Sequence, residues 1–397
     1  MANRSGPIVP HIDQFAEFLT GEGYASQTVK TKCALAVDLS QWIARHGLTL
    51  TKLDEEKLQQ FHGPRRRASG RGDRFTGEQL LMFLRDRGLT PVLHPAIDRS
   101  TMGQLARDYE RFLSCERGLA RATVDGYLPI VQRFLNAHFQ NKIVRLRDLT
   151  PRDLHRFIVR EGQRVGRRHT QLTVTAPRSF LRFLHQRGKT KTDLAGALLG
   201  VADWRLSDIP KFLPPEEVER VLKSCDHSMP SGQRDYAILL LLARLGLRGG
   251  EVLAMTLDDL DWERGEVLVR GKGQRFERLP LPQEVGKALV HYLRHVRPTC
   301  STRKVFIRLK APWHALRLSA ICCVVRRALK RAGLSPAFKG AHLFRHSLAT
   351  QMLRRGASLG EIGQLLRHRQ PTTTQIYAKV DIEVLRGIAL PWMGGGA

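Results

Sequence analysis

Gly246-Leu247-Arg248-Gly249-Gly250-Glu251-Val252-Leu253 is where one helical pattern stops and another begins. Just before it, Gln233 to Leu245 holds the longest apolar run of the chain, Tyr236 to Ala243, and reads as a buried helix. The glycines break that pattern, so Arg248 falls at the junction and its guanidinium can point into a cleft. Further on, Asp261 to Leu281 is the convincing β segment. Glu266-Val267-Leu268-Val269-Arg270 alternates, Gly271-Lys272-Gly273-Gln274 turns, and Arg275 to Leu281 returns, which predicts a hairpin. Lys272 lies between two glycines, where a backbone can approach a ligand closely. Helical patterns then resume. The spacing predicts a mainly α chain with a small antiparallel β-sheet.

Two later segments carry polar residues that a helical core does not call for. In His342-Leu343-Phe344-Arg345-His346, positions three apart share a helix face, so His342 and Arg345 can converge on one target. Leu365-Leu366-Arg367-His368 is followed by Pro371-Thr372-Thr373-Thr374-Gln375-Ile376-Tyr377. Ser358 and Glu361 form a capping box, predicting a helix that ends at His368. Pro371 predicts a short helix that carries Tyr377. Each element alone is ordinary: an Arg at a helix start is commonly a surface residue, and a lone Tyr is commonly a packed aromatic. The ordered set offers two guanidiniums, one ammonium, two imidazoles and a phenol, with no carboxylate cluster for a metal.

That inventory suits phosphodiester exchange without a metal or nucleotide cofactor. Two Arg and a Lys can neutralise the non-bridging oxygens of a phosphorus as it becomes pentacoordinate. A phenol of pKa near 10 is a poor nucleophile until its proton is accepted or its charge stabilised, which imidazoles and guanidiniums supply. Lys272 is suited to protonate the leaving 5′ oxygen. A covalent phosphotyrosine would store the energy of the broken bond for rejoining.

The order Arg, Lys, His-x-x-Arg, His, Tyr, with Gly-Leu-Arg-x-x-Glu-Val-Leu and the closing Thr374-x-x-Tyr377, resembles the tyrosine recombinase (phage integrase) family over about residues 210 to 385. The resemblance implies that Arg248 and Arg345 bind the scissile phosphate and Lys272 is the general acid. It implies that His342 accepts the tyrosine proton, His368 hydrogen-bonds the phosphate and Tyr377 is the nucleophile, while Glu251, three residues after Arg248, is supporting and does not react. It further implies a helical core-binding domain ahead of the catalytic domain, the two clamping double-stranded DNA, and a synaptic tetramer, with partner recombinases in some systems. The sequence departs from the family pattern at Arg367, where Gly is usual, and at Phe344, where Leu is usual.

The charge balance agrees with a polyanionic partner: 65 Lys and Arg stand against 37 Asp and Glu in 397 residues, a formal net charge of +28. A basic RNA-binding protein would share the charge but leaves the Arg248-to-Tyr377 order unexplained. No apolar run approaches the ~18 residues of a membrane span, and no apolar h-region follows Met1-Ala2-Asn3-Arg4-Ser5, so a cytoplasmic, nucleoid-associated protein is expected. The six cysteines, Cys33, Cys115, Cys225, Cys300, Cys322 and Cys323, form no CxxC pair and read as reduced thiols.

The first half repeats itself with a period of about 95 to 100 residues. Glu17-Phe18-Leu19-Thr20 matches Arg111-Phe112-Leu113-Ser114, and Leu58-Gln59-Gln60-Phe61 matches Leu154-His155-Arg156-Phe157. Phe83-Leu84-Arg85-Asp86-Arg87-Gly88 matches Phe183-Leu184-His185-Gln186-Arg187-Gly188. Basic loops are expected at 62–74 and 160–168. The domain reading is therefore 1–95, an extra helical domain copying the core-binding domain; 96–195, the core-binding domain; 196–212, a linker; and 213–397, the catalytic domain. The extra copy is expected to grip DNA, and the apolar tail at 380–397 to dock on a neighbouring protomer.

A site-specific recombinase or integrase of a mobile element is the function that follows. Two alternatives have discriminators. A type IB topoisomerase would relax supercoiled DNA as a monomer without recombinant products. An accessory DNA-binding protein of a mobile element would bind without forming an adduct.

Overall fold

Helices α1 (Ile12–Gly21), α2 (Ser26–Arg45), α3 (Glu55–His62) and α4 (Arg71–Asp86) form a first run, with a 3-10 turn at Leu50–Lys52 between α2 and α3. The same order follows in α5 (Thr101–Arg111, continued by a π turn at Phe112–Glu116), α6 (Arg121–Phe139), α7 (Pro151–Gly162) and α8 (Arg167–Gln186), with a 3-10 turn at Leu146–Asp148. This computed structural model describes residues 5–63, 71–91, 98, 100–139, 145–164, 167–198, 210–271 and 276–380. Lys272, most of the 196–212 linker and the tail beyond 380 lie outside the described residues.

Matched positions do matched work in the two runs. Leu19 and Leu113, Val29 and Val124, Leu58 and Leu154, Phe61 and Phe157, and Phe83 and Phe183 are all buried. Each run also ends on the same C-cap. Gly88 (φ 69°) and Gly188 (φ 64°) take the left-handed conformation. Their N–H groups donate to Arg85 and His185 carbonyls, and the next N–H, of Leu89 or Lys189, reaches back to Leu84 or Leu184. Only glycine adopts that conformation at little cost, so it stops the helix cleanly. The basic loops are shorter than expected, because α4 already begins at Arg71, α7 runs to Gly162 and α8 starts at Arg167.

The second half contains α9 (Pro215–Lys223), α10 (Pro230–Arg244), α11 (Gly249–Ala254), strands β1 (Leu260–Asp261), β2 (Glu266–Arg270) and β3 (Phe276–Pro280), then α12 (Gln283–His295), α13 (Leu318–Arg331), α14 (His342–Arg354) and α15 (Leu359–Leu365). In α10, Ala237 through Leu242 are all buried, the mark of a helix surrounded on every side. It is the axis of the core, with α9, α12, α13 and α14 packed around it. The three strands form an antiparallel sheet in the order β1-β2-β3, with Val267 paired to Leu279. Val267, Val269 and Leu279 are buried against the core. A separate small cluster of Ala349, Ile362, Leu366 and Tyr377 joins α14 to α15 and the chain beyond it.

Two elements differ from the sequence expectation. The helix capped by Ser358 stops at Leu365 and does not reach His368, because Arg367 sits at φ 55°. Tyr377 lies on a 3-10 turn, Gln375–Val380, separate from the one that Pro371 starts.

Residues 93–205 form one compact body; residues 1–92 together with 206–397 form the other. Within the latter, the first helical run is seated on the second half of the chain. The Trp313 N–H donates to the Glu22 carbonyl at 3.1 Å, and His314 Nδ1 stands 3.6 Å from Glu22 Oε2. Gly23 (φ 86°) makes room for the indole: a Cβ there would come within 2.1 Å of Trp313 Cε2. Gly23→Val is therefore expected to break this seat, through left-handed strain of ~1–2 kcal/mol plus the clash. Limited proteolysis of the full chain would show it as faster cutting around 308–316, and wild-type protection in Gly23→Val would contradict the contact.

Among the described residues no helix is long and apolar enough to cross a membrane, no disulfide joins the cysteines, and no His, Cys, Asp or Glu group is arranged to hold a metal.

Candidate active site

Arg248 sits in extended conformation at the N-cap of α11, just after the left-handed Gly246 (φ 57°). Its own helix fixes it. Glu251, one turn on, accepts the Arg248 backbone N–H on Oε2 at 2.8 Å and the Arg248 Nη1 on Oε1 at 2.6 Å. Burial pushes the Glu251 carboxyl up, but the Arg248 N–H and the charges of Arg367 and Arg248 outweigh it and hold the group below the ordinary carboxylate range. It is an anion wedged among cations.

Arg345 projects from the buried side of α14 and is 3% exposed. Its Nη1 donates to the Gly246 carbonyl at 2.6 Å, and its Nη2 to the Leu366 carbonyl. One guanidinium thus ties the turn before Arg248 to the turn before His368. Burial, with the charges of Arg248 and Arg367, pushes Arg345 down to about 10, so it stays protonated at neutral pH. A cation held against two other cations is under a repulsion that a bound anion would relieve.

Tyr377 is 1% exposed and packed in the small cluster with Ile362 and Leu366. Its hydroxyl lies 2.9 Å from His346 Nδ1. Burial pushes the phenol up to about 12, against the pull of Arg345 and Arg248. Burial, His342 and Arg345 push His346 down to about 4. At neutral pH the phenol therefore keeps its proton and the imidazole is neutral, and one hydrogen bond joins them. The His368 ring lies nearly parallel to that of Tyr377, with centroids 6.4 Å apart. Its Nδ1 pairs with Thr374 Oγ1 at 2.8 Å. Burial and the charges of Arg345 and Arg248 push it, too, down to about 4.

The structure thus brings Arg248, Glu251, Arg345, His368 and Tyr377 into one cluster. His342 stands exposed at the head of α14, its ring centroid 6.4 Å from that of His346. The group on the phenol is His346, not the His342 expected from the sequence. The available signal was its spacing, one turn from His342 on the same face.

Both low imidazoles bear on stability. Their folded values of about 4 lie below the unfolded value of 6.5, so between those limits the unfolded chain binds more protons. Stability from these groups is complete above pH 6.5 and is lost as pH falls toward 4. Urea midpoints are expected to drop between pH 7 and 4.5, with a shallower slope for His368→Phe. A midpoint independent of pH would count against this burial.

Comparison with known proteins gives the family. The phage integrase family model matches residues 211–383, and the phage integrase N-terminal SAM-like domain matches residues 106–188. A protein of Sinorhizobium fredii named as an integrase/recombinase, y4rA, is 41% identical over 391 residues, covering 98% of this chain and 95% of the relative. The chain belongs to the phage integrase family. The tyrosine recombinase XerD of Listeria innocua is 29% identical over 70% of this chain and 95% of its own length. Among solved structures, the XerH site-specific recombinase bound to a palindromic difH substrate shares the fold at a TM-score of 0.59 and 19% identity, covering 85% of this chain and 97% of that one. The Tn1549 transposon integrase in complex with a circular intermediate DNA does so at 0.53 and 16%, covering 71% and 99%. The mainly α fold with its small sheet and the tyrosine-recombinase class of enzyme are those of this family.

Proposed function

We propose that this phage integrase family member cuts and rejoins double-stranded DNA at specific sites through a 3′-phosphotyrosine on Tyr377, in the service of a mobile element. The observation that carries this is the Tyr377 hydroxyl, hydrogen-bonded to His346 and within the influence of Arg345 and Arg248. In the step proposed, the Tyr377 oxygen attacks the scissile phosphorus. The phenol proton leaves through His346, with His342 next on the same helix face. The bond to the 5′ oxygen breaks, and Lys272 returns a proton to that oxygen. Arg248 and Arg345 hold the non-bridging oxygens, where charge accumulates in the transition state, and His368 donates a hydrogen bond to one of them. Rejoining reverses the step with another 5′ hydroxyl, so each bond broken is matched by one formed.

Residues 98–198 hold 20 Lys and Arg against 9 Asp and Glu, which supports a DNA-gripping core-binding domain there. Residues 5–91 hold 12 against 10 and seat themselves on the second half through Glu22 and Trp313. A protein-contact role suits this first run better than the second DNA grip expected from its repeat. Strand exchange between two duplexes calls for a synaptic tetramer, possible partner recombinases included, working on DNA of the nucleoid.

The test is a nicked suicide duplex built from the DNA flanking the chain's own coding element. A covalent adduct with wild type and none with Tyr377→Phe is the expected result. DNA binding with no adduct from wild type would overturn the reading.

A further inference from the structure

Arg367 stands in a place that suits glycine. Its φ of 55° makes it the positive-φ residue other than glycine among those described. An L side chain there costs ~1–2 kcal/mol. A second cost is added, since Arg367 Nε is buried with no hydrogen-bond partner. Two local costs at one residue ask what the side chain does in return.

The side chain is 5% exposed and points at Glu251. Arg367 Nη2 donates to Glu251 Oε2 at 2.9 Å, and Nη1 to the Leu365 carbonyl at 3.0 Å. Glu251 Oε2 is the same oxygen that accepts the Arg248 backbone N–H, while Oε1 takes Arg248 Nη1. The carboxylate is therefore shared between two guanidiniums 119 positions apart. Sharing fixes its rotation, and so fixes Arg248. It also keeps Oε2 engaged elsewhere, so Glu251 does not close on the Arg248 guanidinium with both oxygens. The residue after Arg367 is His368, and the carbonyl before it is held by Arg345. The left-handed turn is thus anchored at Leu366 and Arg367, just ahead of the residue that faces Tyr377.

We propose that Arg367 is a positioning residue for strand cleavage: by dividing Glu251 between itself and Arg248 it sets the Arg248 guanidinium toward the phosphate. This rests on the function proposed above. Glycine at 367 would relieve the backbone but release the carboxylate.

The test uses the full chain and the nicked suicide duplex, reading duplex affinity, thermal midpoint and single-turnover adduct formation. Arg367→Gly is expected to keep the midpoint and to bind within threefold of wild type, yet to form adduct at least tenfold more slowly. Arg367→Lys, which keeps a cation beside Glu251, is expected to recover part of that rate, and serves if the glycine variant fails to fold. Arg367→Gly combined with Glu251→Gln should be no slower than the slower single variant, because both act through one carboxylate. Wild-type rates in Arg367→Gly, or losses that multiply in the double variant, would overturn the proposal. Absence of a wild-type adduct would instead strike the proposed function itself.

Discussion

Tyr377→Phe is expected to abolish the covalent protein–DNA adduct while leaving the fold and duplex binding in place. The substitution removes one oxygen. The ring it leaves still fills the cluster of Ala349, Ile362 and Leu366, so packing is conserved. The stability change is confined to the lost hydrogen bond with His346, about 1 kcal/mol. The chemical loss is of another order, since phenylalanine carries no oxygen to attack the phosphorus. Removal of a covalent nucleophile costs at least about 10⁴-fold in rate. Denaturing electrophoresis of the suicide-duplex reaction reads it directly. An adduct from Tyr377→Phe at the wild-type rate would mean that another residue attacks.

Arg345→Lys is expected to cost both rate and stability, which separates it from the tyrosine variant. Lysine keeps the charge but has no planar fork. It cannot reach the Gly246 and Leu366 carbonyls together, so at least one buried acceptor is left unmet, at about 1–3 kcal/mol. The two turns it joins carry Arg248 on one side and His368 on the other. Loss of an oriented donor to the developing charge costs about 10²–10³ in rate. Adduct formation at saturating protein and urea unfolding measure the two effects. A rate within threefold of wild type would show that Arg345 does not face the phosphate.

Much of this site was legible in the sequence because its residues sit where helices begin and end. Arg248 falls at a glycine break, Ser358 and Glu361 announce a helix start, and the His342-to-His346 segment has helical spacing. The repeat in the first half was legible through its buried residues and its closing glycines. The partner of the phenol was not, because His346 and Tyr377 meet only after the chain turns at Arg367, and an arginine does not itself announce a left-handed turn. The double use of Glu251 was hidden for a related reason: its second guanidinium lies more than a hundred residues away. The seat of Glu22 and Gly23 on Trp313 joins residues 290 positions apart, and only a structure reveals such a pair.

The depth of Tyr377 has a further consequence under the proposed chemistry. A phosphotyrosine ester can be consumed by any hydroxyl that arrives, and water is present at ~55 M against a single DNA terminus. Tyr377 begins nearly dry, 1% exposed, with its ring among aliphatic side chains and its hydroxyl on the His346 imidazole. Such lodging handicaps the solvent as a competitor and lets the intermediate wait for a strand from the opposite duplex.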